Sequence, residues 1–350
     1  MNLHEPDVDL ADSAEVVAAR RRVDATADGP GQAAAVLHLA VALSHDDRLA
    51  EASVVARTAA GLFDAQDDAA GTGRAVRVLA AALVGLGQPI EAVERVDGFR
   101  RHLVEQRADP AIIGGCDASL AEALRAAGRP VEALGALERA RVVYEAAGDR
   151  AVLANLDHDR AVLLAELGQG DVAIGLLVQA RDAFLEVRDR LGVAACDHNL
   201  GFALHDAGNL DDAVEYLQEA RGIFLAVGHH EEAAACDQNL GVVLHDMGRY
   251  EEAGRRLAVG RHRFAQAGAT HSAGECDHNL SVVLLALGHT DEARVYADRA
   301  VEAGVGAPLP PGMSGRVPVV DAELRDEPVT GELDEEPTDA ELTPRADGTS

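Results

Sequence analysis

A segment of nine residues recurs along this chain at a spacing of forty residues. "CDASLAEAL" begins at Cys116, "LDHDRAVLL" at Leu156, "CDHNLGFAL" at Cys196, "CDQNLGVVL" at Cys236 and "CDHNLSVVL" at Cys276. Each unit also has a glycine followed five residues later by an alanine, as at Gly128 and Ala133, and "GLGQPIEA" at 85–92 and "SHDDRLAEA" at 44–52 continue this second spacing upstream to within one residue. A fixed period of this length indicates a repeat architecture in which each copy is one supersecondary unit.

Each unit contains two stretches of apolar residues at helical spacing. In one unit the first stretch lies around Leu200 and the second around Leu217. Gly208 between them is expected to end the first helix, and Asn209 with Asp211 to cap the second. A two-helix hairpin cannot bury its apolar face alone, so consecutive hairpins must stack. The sequence therefore predicts an all-α fold.

The repeated residues resemble the tetratricopeptide repeat family. The segment D-x2-L-G-x2-L from Asp197, followed by A-x3-L from Ala213, is similar to the family pattern W-x2-L-G-x2-Y…A-x3-F. The resemblance covers roughly residues 32–303 and is most specific in the units that start at 195, 235 and 275. The period of forty instead of 34, the aspartate at the tryptophan position and the missing proline are departures. HEAT and armadillo repeats share a period near forty but lack this pattern.

The resemblance implies a right-handed superhelical solenoid of about seven stacked helical hairpins. We expect units near 32–73, 74–114, 115–154, 155–194, 195–234, 235–274 and 275–304 within a solenoid of residues 31–304, and an N-terminal tail with a capping helix in 1–30. Residues 305–350 hold seven of the twelve prolines and eleven acidic residues against three arginines. This composition predicts a disordered acidic tail, which keeps the chain soluble, lies in a groove or contacts a basic partner.

Charge and composition exclude several functions. The net charge of −29 opposes nucleic acid and anionic membranes, which leaves a basic or neutral protein or peptide as the expected partner. All 31 basic residues are arginines, so lysine-dependent phosphate loops and Schiff bases are ruled out. No apolar run approaches a membrane span, and no signal peptide is recognisable, so we expect a cytoplasmic protein. The arginine- and alanine-rich usage suggests a bacterial source.

The recurring cysteine, aspartate and histidine could suggest a nucleophile or a metal site. Five near-copies of one such cluster favour packing over chemistry, and we expect neither catalysis, cofactor nor metal. His198 and His205 are seven residues apart, whereas adjacent imidazoles on one helix need a spacing of four. The cysteines are expected to be small apolar fillers, because packed helices lie about 8–10 Å apart and a disulfide needs Cα atoms within about 7 Å.

One aspartate in each unit falls on the buried stripe of the first helix. A buried carboxylate needs a partner, and an arginine recurs at the same period in the second helices. We therefore expect an Asp–Arg ladder between neighbouring hairpins, formed by Asp117, Asp157, Asp197, Asp237 and Asp277 with Arg101, Arg141, Arg181, Arg221 and Arg261.

A second group of side chains lies on another face of the first helices, which lines the concave groove in the family. The predicted contacts are His158, His198, Asn199, Phe202, His205, Asp206, Gln238, Asn239, His245, Asp246, His278 and Asn279. The resemblance implies that the asparagines bond the backbone of an extended peptide. An ordinary solvated surface is the alternative interpretation. The histidines could make this face respond to pH.

These observations predict a scaffold or adaptor that holds a protein or peptide segment in its groove. The alternative is a bacterial signalling regulator or sensor whose superhelix changes conformation when a peptide or a partner enzyme binds. An enzyme that uses a Cys-Asp-His set is the least favoured of the three classes.

Overall fold

Every regular element of the described chain is an α-helix. The computed structural model describes residues 12–26 and 31–306, and fifteen helices lie in these ranges. The all-α prediction is confirmed for this part of the chain. The expected tail falls outside it from residue 307 onward.

The chain divides into two compact units, residues 1–156 and 157–350. In its described part, the first unit contains α1 (Ala14–Ala25), α2 (Gln32–His45), α3 (Leu49–Asp64), α4 (Ala69–Gly85), α5 (Pro89–Glu105), α6 (Pro110–Ala126) and α7 (Pro130–Ala147). Helix α8 (Arg150–Glu166) begins in the first unit and ends in the second. The second unit continues with α9 (Gly170–Val187), α10 (Arg190–Asp206), α11 (Leu210–Ala226), α12 (His230–Asp246), α13 (Tyr250–Ala267), α14 (Thr270–Ala286) and α15 (Thr290–Glu302).

The forty-residue period follows from the helix lengths. Helices α10 and α11 have 17 residues each, and three residues follow each of them before the next helix begins. Helix α10 begins at Arg190, whereas the predicted unit starts at 195, because the repeated motif lies inside the helix and not at its first turn. Each of the seven predicted hairpins has two helices, from α2–α3 to α14–α15.

Apolar residues of consecutive helices form the core of each unit. In the second unit, Leu244, Leu257 and Leu280 pack together from α12, α13 and α14. In the first unit, Val16 of α1 packs with Leu43 of α2. Each such fully buried side chain contributes about 1.5–3 kcal/mol relative to an exposed one. None of the described helices is both long and apolar enough to cross a lipid bilayer.

A glycine with a positive φ lies in the turn of each hairpin from α4–α5 onward, whereas Asp47 takes this conformation between α2 and α3. Gly208 has a φ of +80°, in the left-handed region that glycine adopts without strain. The backbone N–H of Asn209 donates to the carbonyl oxygen of Leu204 at 2.8 Å and closes α10. The predicted Asn209 cap is wrong, because its side chain makes no capping hydrogen bond to α11. Asp211 instead lies in the first turn, where a negative charge complements the helix dipole.

A second glycine brings the two helices of a hairpin together. A Cβ atom at Gly201 would lie 2.5 Å from Cγ of Leu217 and 3.1 Å from the carbonyl oxygen of Ala213. The same contact recurs between Gly241 and Leu257, at 2.4 Å. The leucine-glycine pair of the motif therefore places α10 and α12 close to the helices that follow them.

Candidate partner-binding surface

The predicted contact residues all lie on the first helices of the hairpins in the second unit. We call this set the binding face: His158 on α8; His198, Asn199, Phe202, His205 and Asp206 on α10; Gln238, Asn239, His245 and Asp246 on α12; His278 and Asn279 on α14. Side-chain contacts at this face join each first helix to the next one.

Histidine and asparagine pair across consecutive first helices. The amide nitrogen of Asn199 lies 2.8 Å from Nε2 of His158, and that of Asn239 lies 3.0 Å from Nε2 of His198. An amide nitrogen can only donate, so the imidazole nitrogen that it faces is the acceptor in each pair. Burial lowers the pKa of His198, which favours its neutral form. The asparagines assigned by resemblance to a peptide backbone thus use their amide nitrogens within the protein.

An aspartate between two imidazoles forms a second link between α10 and α12. Nε2 of His205 lies 2.8 Å from Oδ2 of Asp246, and Nδ1 of His245 lies 2.9 Å from Oδ1 of the same carboxylate. Hydrogen bonds from His205 and His245 lower the pKa of Asp246. The ring of His245 also packs against Tyr250, with centroids 5.4 Å apart. Asp206, at 3.8 Å from His205, adds negative charge beside this cluster.

Apolar side chains lie between these polar links. Phe202 is 50% exposed, although phenylalanine is one of the residue types most often buried. Val242 and Val282 occupy the same position one and two hairpins later, and Val282 is 39% exposed. A cavity of about 200 Å³ opens between them and is lined by Val242, His245, Asn279 and Val282. The binding face therefore combines accessible apolar surface with ordered polar groups.

The last hairpins depart from the histidine–asparagine pattern. Gln238 stands where α8, α10 and α14 have histidine, and its amide nitrogen donates to Glu275 of α14 at 3.2 Å. His278 is exposed, and Asn279 is half-buried beside the cavity. Because these positions differ from one hairpin to the next, each hairpin presents a different chemical surface.

Buried aspartates pair with arginines of the preceding hairpin in the second unit. Nε of Arg181 lies 2.6 Å from Oδ1 of Asp197, which is fully buried. Nε of Arg221 lies 2.7 Å from Oδ1 of Asp237, and Nε of Arg261 donates to Oδ1 of Asp277. Burial alone would lower the pKa of Arg181, but the hydrogen bond and charge of Asp197 outweigh it and raise that pKa. In the second unit the structure thus brings together the pairs expected for Asp197, Asp237 and Asp277.

Asp237 contacts more arginines than its own pair. Arg263 of α13 forms an ion pair with it, and Nη1 of Arg256 lies 3.5 Å from its Oδ1. Burial nevertheless raises the pKa of Asp237, and it lowers the pKa of Arg263. The sequence pattern did not indicate Arg256 and Arg263, because they have no arginine counterpart one unit earlier.

The expected pairing of Asp117 with Arg101 is wrong. Asp117 pairs with Arg100 of α5 at 2.6 Å and with Arg139 of α7 at 2.7 Å, whereas Arg101 is exposed and pairs with Asp97. The hairpin turns at Gly87 and Gly128 are 41 residues apart, so the register shifts by one residue here and places the guanidinium one position earlier.

The remaining members of the expected ladder have local partners. Arg141 donates to Glu145 within α7, and Asp157 accepts from Arg160 within α8 at 2.7 Å. These pairs lie within single helices, at spacings of four and three residues.

The four cysteines are buried free thiols. Burial raises the pKa of Cys116 to about 11 and those of Cys236 and Cys276 to about 12, and it raises that of Cys196 further. Thiols with such pKa values are protonated at neutral pH and are poor nucleophiles. Among the described residues, no group of three or more histidines, cysteines or acidic residues is arranged to hold a metal ion.

Comparison with known families matches the repeated part of the chain. A tetratricopeptide repeat model matches residues 152–226 and 192–259, and a second tetratricopeptide repeat model matches residues 114–139 and 274–299. No curated protein matches the chain in sequence.

Several solved structures share the fold at low sequence identity. A signal transduction ATPase with a tetratricopeptide repeat sensor from Pyrococcus horikoshii has a TM-score of 0.63 at 15% identity, over 81% of this chain and 44% of that one. A Rap protein complexed with Competence and Sporulation Factor has a TM-score of 0.59 at 14% identity, over 78% and 76%. NprR in complex with its cognate peptide NprX has a TM-score of 0.52 at 15% identity, over 66% of each chain.

Proposed function

We propose that this chain, a tetratricopeptide repeat protein, is a scaffold that binds a protein or peptide segment along its binding face. The observation that carries this proposal is the accessible apolar row of Phe202, Val242 and Val282 between ordered histidines and asparagines. Apolar anchors with a few placed polar groups are typical of peptide-binding surfaces. The complex of NprR with its cognate peptide NprX and that of a Rap protein with Competence and Sporulation Factor, both formed by proteins of this fold, support a protein or peptide partner.

The binding face suits a neutral or basic ligand. Asp206, Asp246 and Glu275 lie on or beside it, in a chain with a net charge of −29. An acidic ligand would meet like charges, which lowers both affinity and association rate. Binding without catalysis is also consistent with the raised pKa values of the cysteine thiols.

A regulator or sensor is the second candidate, and the side-chain links between first helices favour it. A ligand that takes the amide nitrogen of Asn199 or Asn239 must displace His158 or His198, which removes a contact between consecutive hairpins. Ligand binding would then be coupled to the spacing of the hairpins. Small-angle scattering separates the candidates, because an adaptor keeps its dimensions on binding and a sensor changes them.

Exchange of exposed apolar side chains tests the proposal. The full chain is used to capture partners from a native lysate, and the affinity of each purified partner is then measured by calorimetry. A variant with Phe202→Ala, Val242→Ala and Val282→Ala should bind at least about tenfold more weakly, because it loses the burial of three apolar side chains.

The matched control carries Val172→Ala, Val187→Ala and Val227→Ala, which remove exposed valines of the same unit outside the binding face. This control should retain wild-type affinity. If both variants bind every captured partner equally well, the binding face is not the site and the proposal is wrong.

A further inference from the structure

The last described residues run along one side of α14. A Cβ atom at Gly274 would lie 2.4 Å from Cβ of Ala303 and 3.4 Å from Cγ2 of Val305. A Cβ atom at Gly306 would lie 2.8 Å from Nδ1 of His278. Positions 274 and 278 are neighbours on one helix face, one turn apart. Between residues 303 and 306 the chain therefore advances along α14 towards its C-terminal end.

The next position on this path belongs to the binding face. Val282 lies one turn beyond His278 on the same side of α14 and is 39% exposed. It borders the cavity of about 200 Å³ that α14 shares with Val242 of α12. A chain that continued in the direction set by residues 303–306 would reach this cavity first.

The residues that follow Gly306 have the composition that this surface suits. Residues 307–320 read APLPPGMSGRVPVV, with four prolines, one arginine and no acidic residue, although 321–350 are strongly acidic. Proline-rich segments favour the polyproline II helix, which is extended before binding and so loses less entropy on docking. At about 3.1 Å per residue such a segment reaches about 40 Å, whereas the packed helices to be crossed are about 8–10 Å apart.

We propose that residues 307–320 bind in cis to the binding face, with Leu309 in the cavity beside Val282 and Val242. The segment has the neutral to basic character that suits Asp246 and Glu275, and it is tethered beside the site by Gly306. It therefore acts as an intramolecular competitor that a partner must displace. The docking does not depend on the proposed function, whereas its regulatory consequence rests on it.

The test uses the full chain and a fluorescently labelled synthetic peptide of residues 307–320. The wild-type chain should bind the peptide weakly, because the tethered copy occupies the site at a high effective concentration. The full chain with Leu309→Ser should bind it about tenfold or more tightly, because the altered segment no longer competes. Hydrogen exchange along α14 should be faster in this variant than in the wild type.

Substitutions in the cavity locate the docking site. In the Leu309→Ser background, Val282→Ser should abolish peptide binding, whereas Val227→Ser, with the same exposure of 39%, should not. Equal peptide binding by the wild type and Leu309→Ser, or no binding by Leu309→Ser, overturns the inference. A mass that rises with concentration in the wild type but not in Leu309→Ser also overturns it, because the segment then docks on a second copy.

This result and the partner test fail independently. If partners are captured but the wild type and Leu309→Ser bind the peptide equally, only the docking of residues 307–320 is refuted. If the peptide binds as expected but no partner is captured, only the proposed function is refuted.

Discussion

The buried carboxylate of Asp197 offers the sharpest test of how the hairpins are held together. Asp197 is fully buried, the side chain of Arg181 is 8% exposed, and their closest atoms are 2.6 Å apart. The substitution Asp197→Ala leaves a buried guanidinium without this partner, and breaking a buried pair in this way costs about 3–5 kcal/mol. Because Oε2 of Glu219 lies 3.3 Å from Nη2 of Arg181 and still balances part of its charge, we expect the lower end, about 3 kcal/mol.

Urea unfolding of the full chain, followed by circular dichroism, measures this loss. Asp206→Ala is the matched control on the same helix, since Asp206 is 64% exposed and its removal should change the free energy of unfolding by less than about 0.5 kcal/mol. The double variant Asp197→Ala with Arg181→Leu removes both charges and should recover most of the loss.

Two results would refute the reasoning. Equal urea midpoints for Asp197→Ala and Asp206→Ala would show that the pair does not stabilise the fold. A double variant as unstable as Asp197→Ala alone would show that the cost does not come from the buried guanidinium.

Three further predictions concern single residues. Gly201→Ala should lower the free energy of unfolding by about 1–3 kcal/mol, because the added Cβ meets Leu217. Gly222→Ala on α11, where the added Cβ meets no neighbouring atom, should instead raise it by up to about 1 kcal/mol. Equal shifts of the two variants in urea unfolding would contradict the packing argument. Arg188→Gly should raise the melting temperature, because Arg188 has a φ of +58° that costs roughly 1 kcal/mol. A lower melting temperature of this variant would show that the Arg188 side chain contributes more than the strain costs. Because the pKa of His198 is lower in the folded chain, the unfolded chain protonates this histidine more readily, and stability should fall as the pH decreases through about 6.5. Urea midpoints measured against pH should depend less on pH in His198→Gln than in the wild type. The same pH dependence in both would exclude His198 as the cause.

Sequence reasoning succeeded where a residue recurs in every unit. The helical hairpins could be predicted because leucine, glycine and alanine occupy the same positions in each copy, and each copy meets the same packing demand. The expectation of Arg101 was wrong, because it assumed an unbroken period of forty although the glycines at 87 and 128 are 41 residues apart. Arg256 and Arg263 were not predictable in this way, because a side chain present in one hairpin only leaves no periodic signal.

The polar residues of the binding face were found by their register, but their partners were not. Asn199 and Asn239 were expected to face a ligand, yet their amide nitrogens contact histidines of the preceding first helix. A helix pattern gives the side of the helix on which a residue lies and not its distance from a side chain on another hairpin. The asparagine–histidine pairs join first helices of successive hairpins, so the period alone did not reveal them.

The division between recurring and variable positions also bears on recognition. Residues that hold neighbouring hairpins together, such as Asp197, Asp237 and Asp277, are the same in each of these hairpins of the second unit. They therefore cannot distinguish one position of a ligand from the next. Discrimination requires groups that differ along the surface, because specificity is a difference between affinities. The change from the large ring of Phe202 to the smaller Val242, with glutamine replacing histidine at 238, therefore gives this surface a direction, which would fix the register of a segment bound there.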